Sequence, residues 1–283
     1  MRWIPFIVFL IAIQWYAFQA LKTLTQIRLW WVLYGFFVTL VLGSFLWQIY
    51  NYDRSIGWTP SITYTVGWFI ALITSQLVLI PLLFFEDLSR IAIGIYRFFN
   101  TEQKFYLPER RKFIAQAALA LSAVPFASLL YGMYQGRYNY KVLRYTLEYE
   151  SLPESFDGFQ ITQFSDLHCG SFDNLDKVAY GISLINDQKS DLILFTGDLV
   201  NNKSSEARPW IEKLSGLEAP YGKFSVLGNH DYGDYNQWES EAAKQENMNE
   251  MYQMHKDMGF NLLLNESWYI EKNGEKIALV GVE

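Results

Sequence analysis

Four long stretches without a charged residue dominate the first half of the chain. They are residues 3–21, 29–52, 55–85 and 113–136. A helix needs about 20 apolar residues to cross the hydrocarbon core of a bilayer, and each stretch supplies about that number. Buried helices of a soluble protein would carry a polar face with a period of 3.6 residues, and these stretches show little of one. We therefore predict four transmembrane helices and a lipid bilayer as one partner of the chain.

The basic residues around these stretches predict how the chain is oriented. One side, formed by the connections between the first and second and between the third and fourth stretches, carries Lys22, Arg28, Arg90, Arg97, Lys104, Arg110, Arg111 and Lys112. The other side carries Arg2, Arg54, Arg137, Lys141 and Arg144. Because the side richer in Lys and Arg stays in the cytoplasm, we expect a multi-pass protein of the cytoplasmic membrane. The region after the fourth helix then lies outside the cytoplasm.

A pair of arginines at the start of the fourth stretch allows two interpretations. The run Glu109-Arg110-Arg111-Lys112-Phe113-Ile114 resembles a bacterial twin-arginine export signal, although Glu109 stands where Ser or Thr is usual. The alternative is an ordinary anchor with basic residues on its cytoplasmic side. Both interpretations place the second half of the chain outside, and we expect the segment to remain as an anchor.

Charge and cysteine content limit what the second half can do. Residues 151–283 hold 10 Lys and Arg against 22 Asp and Glu, a net charge of −12. Such an acidic region repels nucleic-acid backbones, so we expect no nucleic-acid partner. Cys169 is the only cysteine, which excludes an intramolecular disulfide, and we expect it to be a buried core residue.

From residue 158 onward, short apolar runs alternate with polar helical segments. Residues 160–164, 192–195, 224–227, 262–264, 268–271 and 276–282 are predicted strands. Residues 175–187 and 238–258 are predicted helices, and residues 204–214 a weaker one. This alternation favours an α/β domain. We predict a membrane region over 1–136, a connector over 137–157 and the α/β domain over 158–283.

Three polar clusters follow three of the predicted strands. They read Ser165-Asp166-Leu167-His168, Thr196-Gly197-Asp198 and Gly228-Asn229-His230-Asp231. Loops at the carboxyl ends of strands in an open α/β sheet gather at one edge, so these clusters can meet there. Carboxylate, amide and imidazole groups in one place form a ligand set for cations without soft thiolates.

In this order, Asp-x-His, Gly-Asp and Gly-Asn-His-Asp resemble the first three motifs of the calcineurin-like metallophosphoesterase family. The similarity covers about residues 158–283 and is greatest to a bacterial membrane-anchored branch related to UDP-2,3-diacylglucosamine hydrolase-like phosphoesterases. It implies an αββα sandwich. It also implies two divalent or trivalent metal ions (Mn, Fe or Zn) that activate a hydroxide for attack on a phosphate ester.

The resemblance also implies a role for each matching residue. Asp166 and His168 correspond to ligands of the first metal, Asp198 to the bridging ligand and Asn229 to a ligand of the second metal. His230 corresponds to the group that stabilises or protonates the leaving oxygen. Asp231 corresponds to the carboxylate that orients His230.

The sequence departs from the family pattern downstream. The family has a further His and a Gly-His-x-His motif, whereas the third histidine here, His255, lies in a polar predicted helix. We expect His255 to be solvated on the surface. We also expect the α/β domain to be C-terminally truncated and this chain to be inactive.

Two classes of function remain open at this point. The first is a phosphoesterase acting on phosphomonoesters or phosphodiesters, including a lipid-linked substrate held close to the membrane. The alternative is a membrane-anchored sensor or binding protein that keeps the fold without catalysis. A nuclease is disfavoured by the acidic charge of the second half. The sequence does not predict the oligomeric state.

Overall fold

A computed structural model describes residues 4–53, 59–99 and 108–283. The first half forms four helices: α1 (Ile4–Leu24), α2 (Arg28–Tyr50), α3 (Pro60–Phe99) and α4 (Pro108–Tyr134). All four are long and apolar enough to cross a membrane, which confirms the prediction of four apolar helices in the first half. Parts of the predictions fall outside the described residues, namely Arg2, Trp3, Arg54, residues 55–58 and Lys104.

Helix α3 extends beyond its predicted apolar stretch. It has 40 residues and continues past residue 85 through Glu86 and Asp87 to Phe99. Charged residues end a membrane-compatible stretch without ending a helix, because Glu, Asp and Arg side chains leave the helical backbone hydrogen bonds intact. The sequence therefore predicted where the apolar segment stops, and the helix stops later.

Small side chains line the contact between α1 and α4. Ala17, Ala20, Ala115 and Ala118 are buried and form one cluster with Leu79 and Leu83 of α3. Small residues let helix backbones approach closely, which is how helices associate where lipid removes the usual hydrophobic driving force. Gln14 and Gln76 are buried as well, and each side-chain amide donates to the other, at 2.9 and 2.6 Å.

Both arginines of the twin-arginine-like run pair with carboxylates of α3. Arg110 lies 2.7 Å from Oε2 of the buried Glu86, and Arg111 lies 2.6 Å from Oδ1 of Asp87. The Tyr16 hydroxyl donates to the other oxygen of Asp87 at 3.0 Å. These contacts give the two arginines a structural role in joining α1, α3 and α4.

The second half forms an α/β unit with two sheets. Strands β1 (Ile161–Phe164), β2 (Leu192–Phe195), β3 (Lys223–Ser225) and β4 (Asn261–Leu262) are parallel and adjacent in that order. Strands β5 (Glu266–Lys272) and β6 (Glu275–Gly281) form an antiparallel pair. The helices of this unit are α5 (Leu175–Asn186), α6 (Ile211–Ser215) and α7 (Glu241–Asp257). The α/β fold class predicted from the sequence is confirmed.

The central strand β2 is buried on both faces, as expected for a parallel sheet covered on each side. Ile193 and Phe195 belong to a core that includes residues of α5, α6 and α7. Leu192 belongs to a second core that includes Ile270 of β5. The four-stranded sheet therefore lies between helices on one face and the β5–β6 sheet on the other.

Two of the predicted helices have different boundaries in the structure. Residues 204–214 form two short 3₁₀ turns and then α6, because Pro209 lacks the N–H that a continuous helix would need. Helix α7 begins at Glu241, where the Ser240 side chain accepts a hydrogen bond from the backbone N–H of Ala243. A serine cap of this kind marks the first turn of a helix.

The expectation that His255 is a solvated surface residue is wrong. His255 is fully buried, its ring stacks on Phe195 with centroids 6.0 Å apart, and its Nδ1 lies 2.9 Å from the Ser225 hydroxyl. Helix α7 directs Met248 and Met251 into the core, and His255 shares their face at helical spacing. Burial lowers the pKa of His255 to about 4.

Candidate metal centre

The loops that follow β1 and β2 are joined along their backbones. The N–H of Asp166 donates to the Gly197 carbonyl at 3.0 Å, and the N–H of His168 donates to the Asp198 carbonyl at 3.0 Å. A third bond of 2.8 Å runs from the Cys169 N–H to the Leu199 carbonyl. The predicted ligands Asp166, His168 and Asp198 are thus brought together by main-chain hydrogen bonds, independently of their side chains.

The loop after β3 meets the loop after β2 at two glycines. Gly197 has a φ of 91°, and a side chain there would collide with the backbone of Gly228. A side chain at Gly228 would collide with the backbone and carboxylate of Asp198. Only glycine permits this approach, which lets the backbone N–H of His230 donate to Oδ1 of Asp198 at 2.9 Å.

The Asp231 carboxylate joins the same two loops from within the protein. Its oxygens accept hydrogen bonds from the backbone N–H groups of Asp198, Leu199, Val200 and Gly228, at 2.8 to 3.2 Å. Asp231 is completely buried. Burial raises the pKa of its carboxyl, and the N–H donors oppose that shift. This carboxylate therefore fixes the loop that carries Asp198.

The side-chain donor atoms have separations that suit a shared cation. Nε2 of His168 lies 3.7 Å from Oδ2 of Asp198 and 3.9 Å from Oδ1 of Asp166. Ligands about 2.1 Å from one ion are at most about 4.2 Å apart. One donor atom each from His168, Asp198 and His230 lie within 4.8 Å of one another, which places His230 beside the same donors. Nitrogen and oxygen donors at these distances fit the metals Mn, Fe and Zn.

Three of the predicted ligands have a left-handed backbone. The φ angles are 56° at Asp166, 45° at His168 and 58° at Asp198. Residues other than glycine rarely adopt this conformation, which costs about 1–3 kcal/mol each and is common at functional sites. The hydrogen bonds between the loops hold these residues in place, so their strained backbones direct the side chains toward one another.

Backbone carbonyls hold both imidazoles of the site. Nδ1 of His230 lies 2.7 Å from the Asn201 carbonyl, and Nδ1 of His168 lies 3.3 Å from the Val200 carbonyl. A carbonyl only accepts hydrogen bonds, so Nδ1 carries the proton in each ring and Nε2 of the neutral imidazole keeps its lone pair. The expected orienting role of Asp231 toward His230 is thus performed by the Asn201 carbonyl, while Asp231 binds the backbone of the loops.

Asn229 lies on the rim of the same site. Its side chain is exposed, and its Nδ2 donates to the Tyr235 hydroxyl at 2.9 Å. The carbonyl oxygen of the amide is the atom suited to a cation. The Tyr235 ring also lies over the His230 ring, with centroids 4.6 Å apart.

Comparison with known protein families supports this reading of the site. The family described as calcineurin-like phosphoesterase matches residues 159–280, where all six predicted site residues lie. The family described as probable calcineurin-like phosphoesterase, transmembrane domain, matches residues 1–137. The chain belongs to the calcineurin-like metallophosphoesterases. Its four apolar helices and their family match make it a membrane protein.

Several curated relatives share parts of this calcineurin-like chain. The uncharacterized metallophosphoesterase YkuE of Bacillus subtilis is 37% identical over 107 residues, covering 37% of the chain and 37% of the relative. A transmembrane protein with metallophosphoesterase domain from Danio rerio is 27% identical over 206 residues, covering 72% and 45%. An uncharacterized metallophosphoesterase of Aquifex aeolicus is 34% identical over 109 residues, covering 38% and 41%. The chain thus spans 37–45% of the length of these relatives. No solved structure matches significantly.

Two further residues of the calcineurin-like site were not predicted. Asn201 acts through its carbonyl oxygen, which every residue possesses, so no side-chain pattern marks it. Tyr235 lies four residues after Asp231 in a polar turn, and an aromatic residue in such a turn was a signal that could have been used. Cys169 is buried as predicted, and burial raises the pKa of its thiol.

Proposed function

We propose that the calcineurin-like domain hydrolyses phosphomonoesters or phosphodiesters in a metal-dependent reaction. One observation carries this proposal: Asp166, His168, Asp198 and His230 converge where three adjacent parallel strands end. The names of the relatives as metallophosphoesterases agree with it. Two bound cations would lower the pKa of a water and neutralise phosphate charge in an otherwise acidic domain.

We assign the roles of the residues on the geometry of the donors. Asp166 and His168 would hold the first cation; Oδ1 of Asp166 and Nε2 of His168 lie 3.9 Å apart. Asp198, whose Oδ2 lies 3.7 Å from the same Nε2, would be shared between the two cations. Asn229 would hold the second cation. His230 would stabilise or protonate the leaving oxygen through Nε2 in its doubly protonated imidazolium form, since Nδ1 is held by the Asn201 carbonyl.

The membrane helices favour a substrate at the membrane surface. We propose that the domain acts at the outer face of the cytoplasmic membrane on a lipid-linked phosphate ester. The bias of Lys and Arg between the two sides of the helices supports this orientation. We also propose a relation to UDP-2,3-diacylglucosamine hydrolase-like phosphoesterases, which rests on the resemblance of the three motifs.

Chemical labelling tests the orientation. Cys169 is buried, so a cysteine introduced at the exposed Thr146 should be the reactive one. We expect this cysteine to react with a membrane-impermeant maleimide in spheroplasts. Labelling only after cell lysis would place the domain in the cytoplasm.

Metal content and turnover measured together test the function. The product of the complete gene, purified in detergent with Mn²⁺ or Zn²⁺, should hydrolyse a nitrophenyl phosphomonoester or a bis-nitrophenyl phosphodiester. Asp198→Asn should lose metal and activity together, whereas His230→Ala should keep its metal and lose about 10²–10⁴-fold in turnover. Asp191→Asn is the control, because Asp191 lies just before β2, at the opposite end of this strand from Asp198, and accepts a backbone hydrogen bond there.

The outcomes separate the two classes of function. Metal binding without hydrolysis of either ester would favour a sensor or binding protein. Equal loss of metal in Asp198→Asn and His230→Ala would refute the division of roles between the two residues. Absence of metal binding in the wild-type protein would refute the metal-dependent function itself.

A further inference from the structure

We propose that Tyr235 contacts the leaving group of the substrate with its ring and positions Asn229 with its hydroxyl. This inference rests on the proposed function, because it uses His230 as the residue beside the leaving oxygen. It adds a substrate preference: an aromatic or other flat apolar leaving group.

The turn that carries Tyr235 is fixed by its own contacts. The Gly233 N–H donates to the His230 carbonyl at 3.1 Å, and the Trp238 indole donates to the Gly233 carbonyl at 2.8 Å. Gly233 has a φ of 68°, and a side chain there would collide with the Trp238 ring. These contacts fold the turn back against the Gly-Asn-His-Asp loop, and Tyr235 therefore lies at the rim of the site.

The hydroxyl of Tyr235 determines which way the Asn229 amide points. Nδ2 of Asn229 donates to it at 2.9 Å. An amide has its donor and acceptor on opposite arms, so fixing the nitrogen arm also fixes the direction of Oδ1. Under the proposed roles, Oδ1 is the cation ligand. Tyr235 thus acts on the cation through Asn229, as a positioning residue.

The ring of Tyr235 offers an open apolar face beside the reacting groups. It is tilted by 37° to the His230 ring at a centroid distance of 4.6 Å and is 62% exposed. A group attached to the leaving oxygen next to His230 would lie against this face. Aromatic contacts of this kind favour flat apolar partners. Tyr235 therefore favours aryl over small alkyl phosphate esters.

Binding measurements can test both parts without requiring turnover. Mn²⁺ is titrated calorimetrically into the metal-free wild-type protein in detergent, and phenylphosphonate and methylphosphonate are then titrated into the Mn²⁺-loaded protein. Tyr235→Phe removes the hydroxyl and keeps the ring, whereas Tyr235→Ala removes both. Tyr180→Ala is the matched control, because Tyr180 is a similarly exposed tyrosine on α5.

The two variants should separate the hydroxyl from the ring. Tyr235→Phe should weaken Mn²⁺ binding about 2- to 10-fold, the value of one hydrogen bond, and keep the preference for phenylphosphonate. Tyr235→Ala should weaken phenylphosphonate binding about 2- to 10-fold more than methylphosphonate binding. Tyr180→Ala should match the wild-type protein in every titration.

Other results would overturn the inference. Wild-type Mn²⁺ affinity in Tyr235→Phe would show that the hydroxyl does not position Asn229. Equal loss of the two phosphonates in Tyr235→Ala, or no phosphonate binding by the loaded wild-type protein, would show that the ring does not select the leaving group. If the wild-type protein binds no Mn²⁺, the proposed function fails and this inference fails with it.

Discussion

Buried amide and carboxylate side chains of the helical unit pair with side chains of other helices, whereas the buried Asp231 carboxylate and Lys223 ammonium of the α/β unit bind backbone groups. Gln14 pairs with Gln76, and Glu86 pairs with Arg110. In the α/β unit, the Asp231 carboxylate accepts four backbone N–H groups, and the Lys223 ammonium donates to the Met258 carbonyl at 2.7 Å.

The difference arises because backbone N–H and C=O groups already have hydrogen-bond partners in a long helix but not in a loop. A long helix satisfies its own N–H and C=O groups, so a buried amide or carboxylate such as that of Gln14 or Glu86 finds its partner in another side chain. Loops that leave parallel strands have unsatisfied N–H groups, which a buried carboxylate can bind. The same loops carry Asp166, Asp198 and His230. Hydrogen bonds from backbone N–H groups to a buried carboxylate therefore hold the site residues of the α/β unit in place.

Removing the carboxylate of Asp231 should have the largest effect on stability. Asp231→Ala leaves four buried N–H groups without their acceptor, and we expect a loss of about 3–5 kcal/mol in the free energy of unfolding. Hydrogen exchange should then be faster at the amides of Asp198, Leu199 and Val200. Urea denaturation in detergent, followed by tryptophan fluorescence, measures the loss of stability.

A carboxylate with a single backbone partner provides the control. Among the described residues, the Asp191 carboxylate accepts one hydrogen bond, from the Gln160 N–H at 2.8 Å, so Asp191→Ala should cost about 1 kcal/mol. Equal losses in the free energy of unfolding for Asp231→Ala and Asp191→Ala would contradict this explanation, because stability would then not depend on how many loop N–H groups the carboxylate binds.

In the helical unit, the ion pair between the buried Glu86 and the partly exposed Arg110 should give the next largest effect. Arg110→Ala leaves the Glu86 carboxylate buried without its guanidinium, and we expect a loss of about 3 kcal/mol. Arg110→Ala combined with Glu86→Gln should recover part of it, since the uncompensated charge is gone. Thermal unfolding of the purified protein in detergent provides the measurement. Arg90→Ala is the control, because Arg90 is exposed and lies 3.7 Å from Asp87.

This double variant also separates the two interpretations of the arginine pair. A structural pair predicts that changing Glu86 improves both stability and membrane insertion in the Arg110→Ala background. An export signal read by a receptor predicts that insertion stays defective, because Glu86 lies outside the signal. Recovery of stability without recovery of insertion would therefore favour the export signal.

Much of the fold was readable from the sequence, since its patterns are local. The predicted strand over residues 192–195 is β2 in the structure, because an uninterrupted apolar run is typical of a central parallel strand. The three motifs were placed at strand ends by the same logic, and Asp166, His168, Asp198 and His230 do converge.

The parts that could not be predicted depend on contacts between distant segments. The Asn201 carbonyl binds His230 across 29 residues of chain, and nothing in the identity of Asn201 signals this contact. The N–H partners of Asp231 likewise depend on how closely Gly197 and Gly228 approach. His255 was different, because its spacing from Met251 and Met258 pointed to the core and its polar neighbours obscured that signal.

His255 is the exception to the comparison, and its pH dependence should give the smallest of the three effects. Its Nε2 has no hydrogen-bond partner among the described residues, so burial holds the imidazole neutral and lowers its pKa to about 4. The unfolded chain binds a proton near pH 6.5, which means that His255 contributes full stability above that value and loses it as pH falls toward 4.

Replacing His255 with leucine should therefore make the free energy of unfolding fall less steeply as the pH is lowered below about 6.5. Between pH 7 and pH 5, the wild-type protein should lose about 2 kcal/mol relative to His255→Leu in urea denaturation. The difference between the two proteins isolates His255, because every other residue is the same in both. Parallel curves would mean that a group of the protein compensates the imidazolium, and His255 would then follow the same rule as the other buried polar side chains.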